Sequence, residues 1–195
     1  VQVGDGDRND PALYFLMEMS NRALAPSQNK VSSTTGRTEI QLACFRVGNE
    51  MYALDIMQIK EIIRPQKLTP VPKAPSFVEG VINLRGAVIP VADMRKRFDL
   101  QLTASDRKSR IMICSLAGRM IGLLVDEVSE VRRYSRDEVA PAPEFLKGPE
   151  AEYFLGVARR GDDFIMLVDL EKILSSSEKL ALQTLAIKTQ ETGNK

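Results

Sequence analysis

The chain contains a long internal repeat, and this repeat limits the folds that are open to it. Gly80-Val81 is followed, thirteen residues after the glycine, by Asp93, and Gly156-Val157 is followed at the same spacing by Asp169. Further upstream, residues 51–54 align with residues 120–123. The offset grows from 69 to 76 residues, so the second copy carries about seven additional residues. The pattern predicts two similar small units in tandem.

The amino-acid composition excludes several classes of function. The 195 residues include 27 basic and 26 acidic side chains, and a net charge of +1 argues against a general binder of polyanions. There is no histidine, which removes the usual general base and the commonest metal ligand. Cys44 and Cys114 lie in apolar runs, so we interpret them as small buried residues in a reducing compartment, with a disulfide or reactive thiol as the alternative. No apolar run approaches the ~20 residues that span a bilayer.

Each copy shows short strands, tight turns and one closing helix. A hairpin turns at Gly48-Asn49 and its counterpart at Ala117-Gly118, and a further hairpin turns at Arg85-Gly86. Asp93 and Asp169 can each N-cap the helix that follows. A sheet this small avoids open edges by curling up. We therefore expect a mainly β fold of two tandem barrels, packed together along an apolar seam, with short capping helices.

The same patterns predict the organisation of the chain. An N-terminal extension with a helix precedes a polar linker, and the closing segment has the pattern of a polar C-terminal helix and tail. The predicted divisions are an extension at 1–38 with a helix at 11–25, barrel subdomains at about 39–107 and 108–174, and a C-terminal helix and tail at 175–195.

The pairs of charged residues in the sequence do not indicate a catalytic, metal or cofactor site. Asp126-Glu127 and Asp162-Asp163 are acidic pairs at turns, where turn chemistry explains them, and neither comes with a histidine, cysteine or glycine-rich motif. Basic runs lack tryptophan and are interleaved with acids, which disfavours a nucleic-acid platform. We interpret them first as a solvated face and next as salt-bridge partners; they are Arg95-Lys96-Arg97, Arg107-Lys108 with Arg110, and Arg132-Arg133.

Two charged residues stand in apolar surroundings. Arg85 lies in an apolar, glycine-punctuated stretch and is either an exposed hairpin tip or the partner of a carboxylate. Glu61 shares a predicted strand with Ile59 and is either a lone solvent-facing acid or part of a protein contact. In such a contact, apolar anchors supply affinity and the charge fixes the register. The residues alone leave both alternatives open.

These residues carry a family signature. Residues 77–95, with the sequence FVEGVINLRGAVIPVADMR, closely resemble the central motif of the CheW family of chemotaxis coupling proteins. Residues 52–62 are similar to the family's first-barrel segment, and the resemblance covers about residues 39–174. It implies two five-stranded SH3-like barrels. It also implies a scaffold, not an enzyme, that links chemoreceptor tips to the histidine kinase CheA by binding the regulatory domain of that kinase.

The resemblance also implies site residues. Ile59 and Glu61 match positions of partner contact, and Gly80, Arg85 and Gly86 match the family's hairpin, whose arginine is important for signalling. Val88 and the seam between the barrels match the apolar receptor groove.

The leading hypothesis is a cytoplasmic coupling protein at receptor arrays, with a surface for the CheA regulatory domain and another for the chemoreceptor cytoplasmic tip. It would bind no nucleic acid and insert no segment into the membrane. The first alternative is the coupling domain of a CheV-like protein, or a CheW paralogue in another motility or signalling array. A remote alternative is a small-barrel nucleic-acid binder, which predicts salt-sensitive binding of oligonucleotides.

Overall fold

The computed structural model describes residues 39–116, 118–142, 152–160, 163–174 and 178. The predicted extension at 1–38, its helix at 11–25, and nearly all of the predicted tail at 175–195 lie outside these residues. Two four-residue helices, α1 (Met94–Arg97) and α2 (Leu170–Ile173), follow strands. The strands are β1 (Glu39–Val47), β2 (Glu50–Asp55), β3 (Ile59–Ile63), β4 (Val78–Leu84), β5 (Ala87–Asp93), β6 (Arg110–Leu116), β7 (Arg119–Val125), β8 (Glu127–Ser135), β9 (Val139–Pro141), β10 (Phe154–Arg160) and β11 (Asp163–Val168).

The strands form two small sheets, which confirms the predicted mainly β class. A five-stranded sheet in the order β3-β6-β7-β5-β4 is called here the first barrel, and a six-stranded sheet in the order β8-β1-β2-β11-β10-β9 is called the second barrel. Each sheet is antiparallel except for one pair, β5 with β7 in the first and β11 with β2 in the second. The matching parallel pairs are a second sign of the duplication.

Each barrel takes strands from both sides of residue 107, the boundary between the predicted subdomains 39–107 and 108–174. Hairpin β1–β2 comes from the first copy but pairs with β8 and β11 of the second. Hairpin β6–β7 comes from the second copy but pairs with β3 and β5 of the first. Turn residues fix which strands form a hairpin, whereas the next neighbour of that hairpin depends on packing between distant segments. The two copies therefore exchange one hairpin each.

The exchanged hairpins explain why their strands are apolar on both faces. In β1, Leu42 and Cys44 face the interior of the second barrel, while Phe45 and Val47 join a cluster between the barrels. β6 does the same in the first barrel, where Ile111 and Ile113 face the interior. The cluster between the barrels, called the seam, draws buried residues from both sheets; they include Phe45, Tyr52, Ile62, Met112, Leu123, Val168 and Ile173. Sharing this apolar area stabilises two units that are each small for an independent core.

The repeat is visible in the backbone as well as in the sequence. The Asp93 amide donates to the carbonyl of Phe77 at 2.8 Å, and the Asp169 amide donates to the carbonyl of Tyr153 at 2.7 Å. Both aspartates also N-cap their helices as predicted, with the Asp93 carboxylate accepting from the Arg95 and Lys96 amides. The signature Gly…Asp spacing therefore encodes a bulged hairpin followed by a capped helix.

The glycine of that signature is required by close packing of two chain segments. A Cβ added at Gly80 would lie 2.5 Å from the carbonyl oxygen of Thr69, which crosses β4 at an isolated bridge to Val81. Gly156 meets the carbonyl of Ala140 on β9 in the same way. Both glycines lie at a β-bulge, so the two copies use one device to admit a crossing backbone.

The basic run at residues 95–97 is not a solvated face, and the structure corrects that interpretation. Arg95 donates through Nε and a terminal nitrogen to both carboxylate oxygens of Asp126, each at 2.7 Å. Asp126 also accepts from the Gly48 amide at 2.7 Å. The arginine side chain is 16% exposed and the aspartate 18%. This forked pair joins α1, the β1–β2 turn and the β7–β8 turn. Arg132 and Arg133, in contrast, are exposed as predicted.

We expect Asp126→Ala to lower the free energy of unfolding by about 2 kcal/mol, because it removes both carboxylate hydrogen bonds of a largely buried guanidinium and the acceptor of the Gly48 amide. Urea unfolding measures the loss. Asp137→Ala, at an exposed acid, is the matched control and should stay within about 0.5 kcal/mol of the parent protein. Equal effects of the two substitutions would contradict the assigned role of Asp126.

Asp93 should make stability depend on pH in the direction opposite to that of a salt-bridged acid. Burial has the largest effect on the pKa of Asp93 and raises it above 3.8. The hydrogen bonds from the Arg95 and Lys96 amides lower this pKa but do not cancel the effect of burial. A raised folded-state pKa gives a contribution that is complete below pH 3.8 and is lost as the pH rises through the higher value. Asp93→Asn keeps the capping oxygen and removes this loss.

Relative to the parent protein, Asp93→Asn should therefore become more stable as the pH is raised from below 3.8 to neutrality. Asp93→Ala removes the cap as well and should cost about 1 kcal/mol at neutral pH. Urea unfolding of the three proteins across that pH range checks both expectations. A difference between the Asn variant and the parent protein that does not change with pH would contradict the assignment.

Candidate protein-interaction surface

Arg85 and Glu61, chosen separately from the sequence, form an ion pair. A terminal nitrogen of Arg85 donates to Oε1 of Glu61 at 3.0 Å. The side chain of Arg85 is 79% exposed, whereas that of Glu61 is 29% exposed. Glu61 is thus neither a lone solvent-facing acid nor fully buried, and Arg85 keeps most of its donors open to solvent.

The hairpin turn holds Arg85 in a conformation that few side chains adopt. Arg85 has φ of 53° and Gly86 has φ of 88°. Two consecutive residues with positive φ form a tight turn that matches the twist of β4 and β5. The Asn83 side chain accepts from the Gly86 amide at 2.9 Å and fixes the turn. An arginine in this region costs about 1 kcal/mol, and such strain is typical of functional positions.

The ion pair joins the two edges of the first barrel. β3, which carries Glu61, and β4, which ends just before Arg85, are the outer strands of the five-stranded sheet. Contact between Glu61 and Arg85 therefore brings the ends of that sheet together. Ile59 and Ile63 on β3 are half-buried and pack against the seam and the barrel interior, respectively. The edge of the first barrel thus combines an open charge with partly exposed apolar side chains.

The other predicted residues have different environments. Gly86 is exposed in the turn beside Arg85, and Val88 is half-buried on β5, paired across the hairpin with the exposed Asn83. Gly80 is buried under the Thr69 carbonyl, where the absence of a side chain admits that backbone.

Exposed apolar side chains are the features that the sequence reasoning missed. Met57 is 77% exposed on a 3-10 turn, four residues before Glu61, and its amide donates to the Asp55 carboxylate at 2.9 Å. On the second barrel, Phe164 is 66% exposed and Leu155 is 60% exposed. In the sequence these residues lie within apolar runs and therefore resemble core positions. Only Asp55, which caps the 3-10 turn after β2, could have indicated that Met57 is exposed.

The two copies differ at this surface. The repeat offset of 76 aligns Val88 with Phe164 and aligns Arg85 with Gly161, and the offset of 69 aligns Glu61 with Glu130. The second copy keeps the acid but has no arginine at the hairpin position. The Arg85–Glu61 pair is accordingly a property of the first copy alone.

The described part of the chain offers little support for a nucleophilic thiol, a metal site or a membrane-spanning helix. Burial raises the pKa of Cys114 to about 12, and Cys44 is also buried, so neither thiol suits nucleophilic chemistry at neutral pH. The described residues contain no group of three or more acids and cysteines that could hold a metal ion. Among the same residues, no helix is long and apolar enough to cross a membrane.

Comparison with known proteins agrees with this architecture. Residues 41–178 match the family model described as a CheW-like domain. The chain is 35% identical over 157 residues to the chemotaxis protein CheW of Klebsiella aerogenes, an alignment that covers 80% of this chain and 95% of that protein. It is 35% identical over 161 residues to the chemotaxis protein CheW of Treponema pallidum, covering 80% of this chain and 93% of that protein.

A solved structure shares the fold. The crystal structure described as scaffolding protein TtCheW from Thermoanaerobacter tengcongensis superposes with a TM-score of 0.67 and 31% identity, and the match covers 72% of this chain and 96% of that chain. Residues 41–178, which match the family model, include Glu61 and Arg85. This chain therefore belongs to the CheW-like domain family.

Proposed function

We propose that this protein is a chemotaxis scaffold that couples chemoreceptors to the histidine kinase CheA through protein–protein contacts. The observation that carries the proposal is the Arg85–Glu61 ion pair, 3.0 Å long, at a strained turn on the edge of the first barrel. Membership of the CheW-like family and the likeness to a solved scaffolding protein support it. The scaffold would act without catalysis, in the cytoplasm beside receptor arrays.

The ion pair suits recognition better than stability. An exposed pair contributes little to folding, since water screens it and long side chains lose entropy on pairing. Arg85 is 79% exposed and nevertheless occupies a strained backbone conformation. A guanidinium held in one place by a rigid turn is pre-organised to donate to a partner carboxylate or backbone carbonyl. The unfavourable backbone conformation is then offset in the complex and not in the free protein.

Apolar neighbours complete the proposed surface. Met57 and Ile59 precede Glu61 along the same edge, and Gly86 and Val88 follow Arg85 in the hairpin. A large exposed methionine adapts to an apolar partner, while the charges fix orientation and suppress wrong partners. We assign the direct contacts to Ile59, Glu61, Arg85, Gly86 and Val88, add Met57, and give Gly80 a supporting role within β4.

The first prediction from this assignment concerns single substitutions. Glu61→Ala or Arg85→Ala should weaken binding of the CheA regulatory domain or of a receptor cytoplasmic fragment about tenfold or more, because each removes a charge-assisted contact near the interface centre. Isothermal titration calorimetry with each partner measures the change. Arg133→Ala, at an exposed arginine of the second barrel, is the matched control and should bind like the parent protein. Full binding of both partners by both variants would overturn the assignment.

Exchanging the charges of Glu61 and Arg85 distinguishes a role in partner recognition from a role in holding the edges of the first barrel together. In Glu61→Arg/Arg85→Glu the two side chains can still pair with each other, so a role confined to holding the barrel edge would be preserved. We expect the double variant to keep the melting temperature of the parent protein and still bind its partner poorly, because the partner meets reversed charges. Recovery of full affinity in the double variant would limit the pair to a structural role.

A further inference from the structure

A largely buried cation, Arg97, lies against the seam between the barrels. Arg97 ends α1, and its side chain is only 12% exposed. Its guanidinium carbon lies 4.7 Å from the ring centre of Phe77 and 4.7 Å from the ring centre of Tyr153. Both distances are within the range of an attractive cation–π contact. The planar group is therefore held between two aromatic rings.

The two rings occupy equivalent positions of the repeat. Phe77 and Tyr153 are 76 residues apart, and each offers its carbonyl to the amide of the aspartate that caps a helix. Phe77 directly precedes β4 of the first barrel, and Tyr153 directly precedes β10 of the second. Arg97 thus connects the barrels at a pair of matched sites and contacts both copies with one side chain.

Only one copy carries this cation. The residue 76 positions after Arg97 is Ile173, which is fully buried in the seam. If Arg97 occupied the environment of Ile173, its charge would be buried among apolar side chains, which is strongly unfavourable. The arginine therefore makes the seam asymmetric and distinguishes one arrangement of the barrels from its pseudo-symmetric alternative.

A carboxylate completes the arrangement. A terminal nitrogen of Arg97 donates to Oε1 of Glu178 at 3.0 Å, and the Glu178 side chain is 23% exposed. Nε of Arg97 is buried and has no hydrogen-bond acceptor among the described residues. Two ring faces and one carboxylate thus define the plane and the rotation of the guanidinium.

Most of the seam is apolar, and burial of apolar area has no preferred direction. A guanidinium between two rings has a preferred plane and position, since both the rings and the carboxylate act through directional contacts. We propose that Arg97 is a positioning residue that fixes the orientation of the first barrel relative to the second, with Glu178 holding its guanidinium in place. This role concerns the two-barrel body itself and does not depend on which partners it binds.

Distances between spin labels test the proposal in the full chain. Cys44 and Cys114 are buried, so nitroxides can be attached selectively at cysteines introduced by substitution of exposed residues. The cross-barrel pair is Lys60→Cys with Phe164→Cys, and the control pair, within the first barrel, is Lys60→Cys with Met120→Cys. Double electron–electron resonance measures the distance distribution of the cross-barrel pair, and continuous-wave line broadening measures that of the control pair, whose strands have only β6 between them. Both are recorded in the parent background and in Arg97→Met, which keeps a long side chain between the rings.

In Arg97→Met we expect the cross-barrel distribution to shift or to lose its single narrow peak, while the control pair keeps its distribution. Glu178→Gln should produce a smaller change in the same direction, and Arg133→Met none. A purely stabilising role would lower the melting temperature and leave both distributions as they were. That result overturns the proposal. Should Arg97→Met fail to fold, Arg97→Lys replaces it in the test, because lysine keeps the charge but lacks the planar group. An unchanged cross-barrel distribution in Arg97→Lys also overturns the proposal.

Discussion

The apolar seam is the contact on which the rest of the molecule depends. Each exchanged hairpin faces the interior of one barrel with alternate residues and the seam with the others, as β6 does with Ile113 and Met112. Neither barrel is complete without a hairpin from the other copy, so the two units cannot fold as independent halves of the chain. Every surface on one barrel is consequently held close to the other barrel by the shared core, which packs densely across both sheets.

The Arg95–Asp126 and Arg85–Glu61 pairs on this body serve different purposes because their exposure differs. Arg95 and Asp126 are mostly withdrawn from water, and their forked contact connects helix α1 with two turns that approach from both copies. Arg85 is mostly in water, and its pairing with Glu61 leaves donors free at a turn whose backbone is strained. Screening makes the exposed pair a weak source of stability, so the strain is better explained by recognition than by folding.

Local signals in the sequence predicted local structure well. Gly48-Asn49 and Arg85-Gly86 mark hairpins, and Asp93 and Asp169 cap helices, because turn and cap chemistry acts within a few residues. The pairing of each hairpin with the other copy was not predictable, since identical patterns in both copies are compatible with either partner. The basic run at residues 95–97 was misread for a related reason. Alternation of charge indicates a polar surface only where no second segment covers it, and here Tyr153 and Asp126 cover it.

Duplication followed by divergence gives this fold two matching hairpins, β4–β5 and β10–β11, of different chemistry. Where the first copy has Val88 and Arg85, the second has Phe164 and Gly161, so a partner selected by a forked cation has no matching donor at that position of the second barrel. Phe164 offers exposed apolar area instead. A partner that needs both charge and apolar contact would thereby be directed to the first barrel, and the second barrel would present a different surface to any other partner.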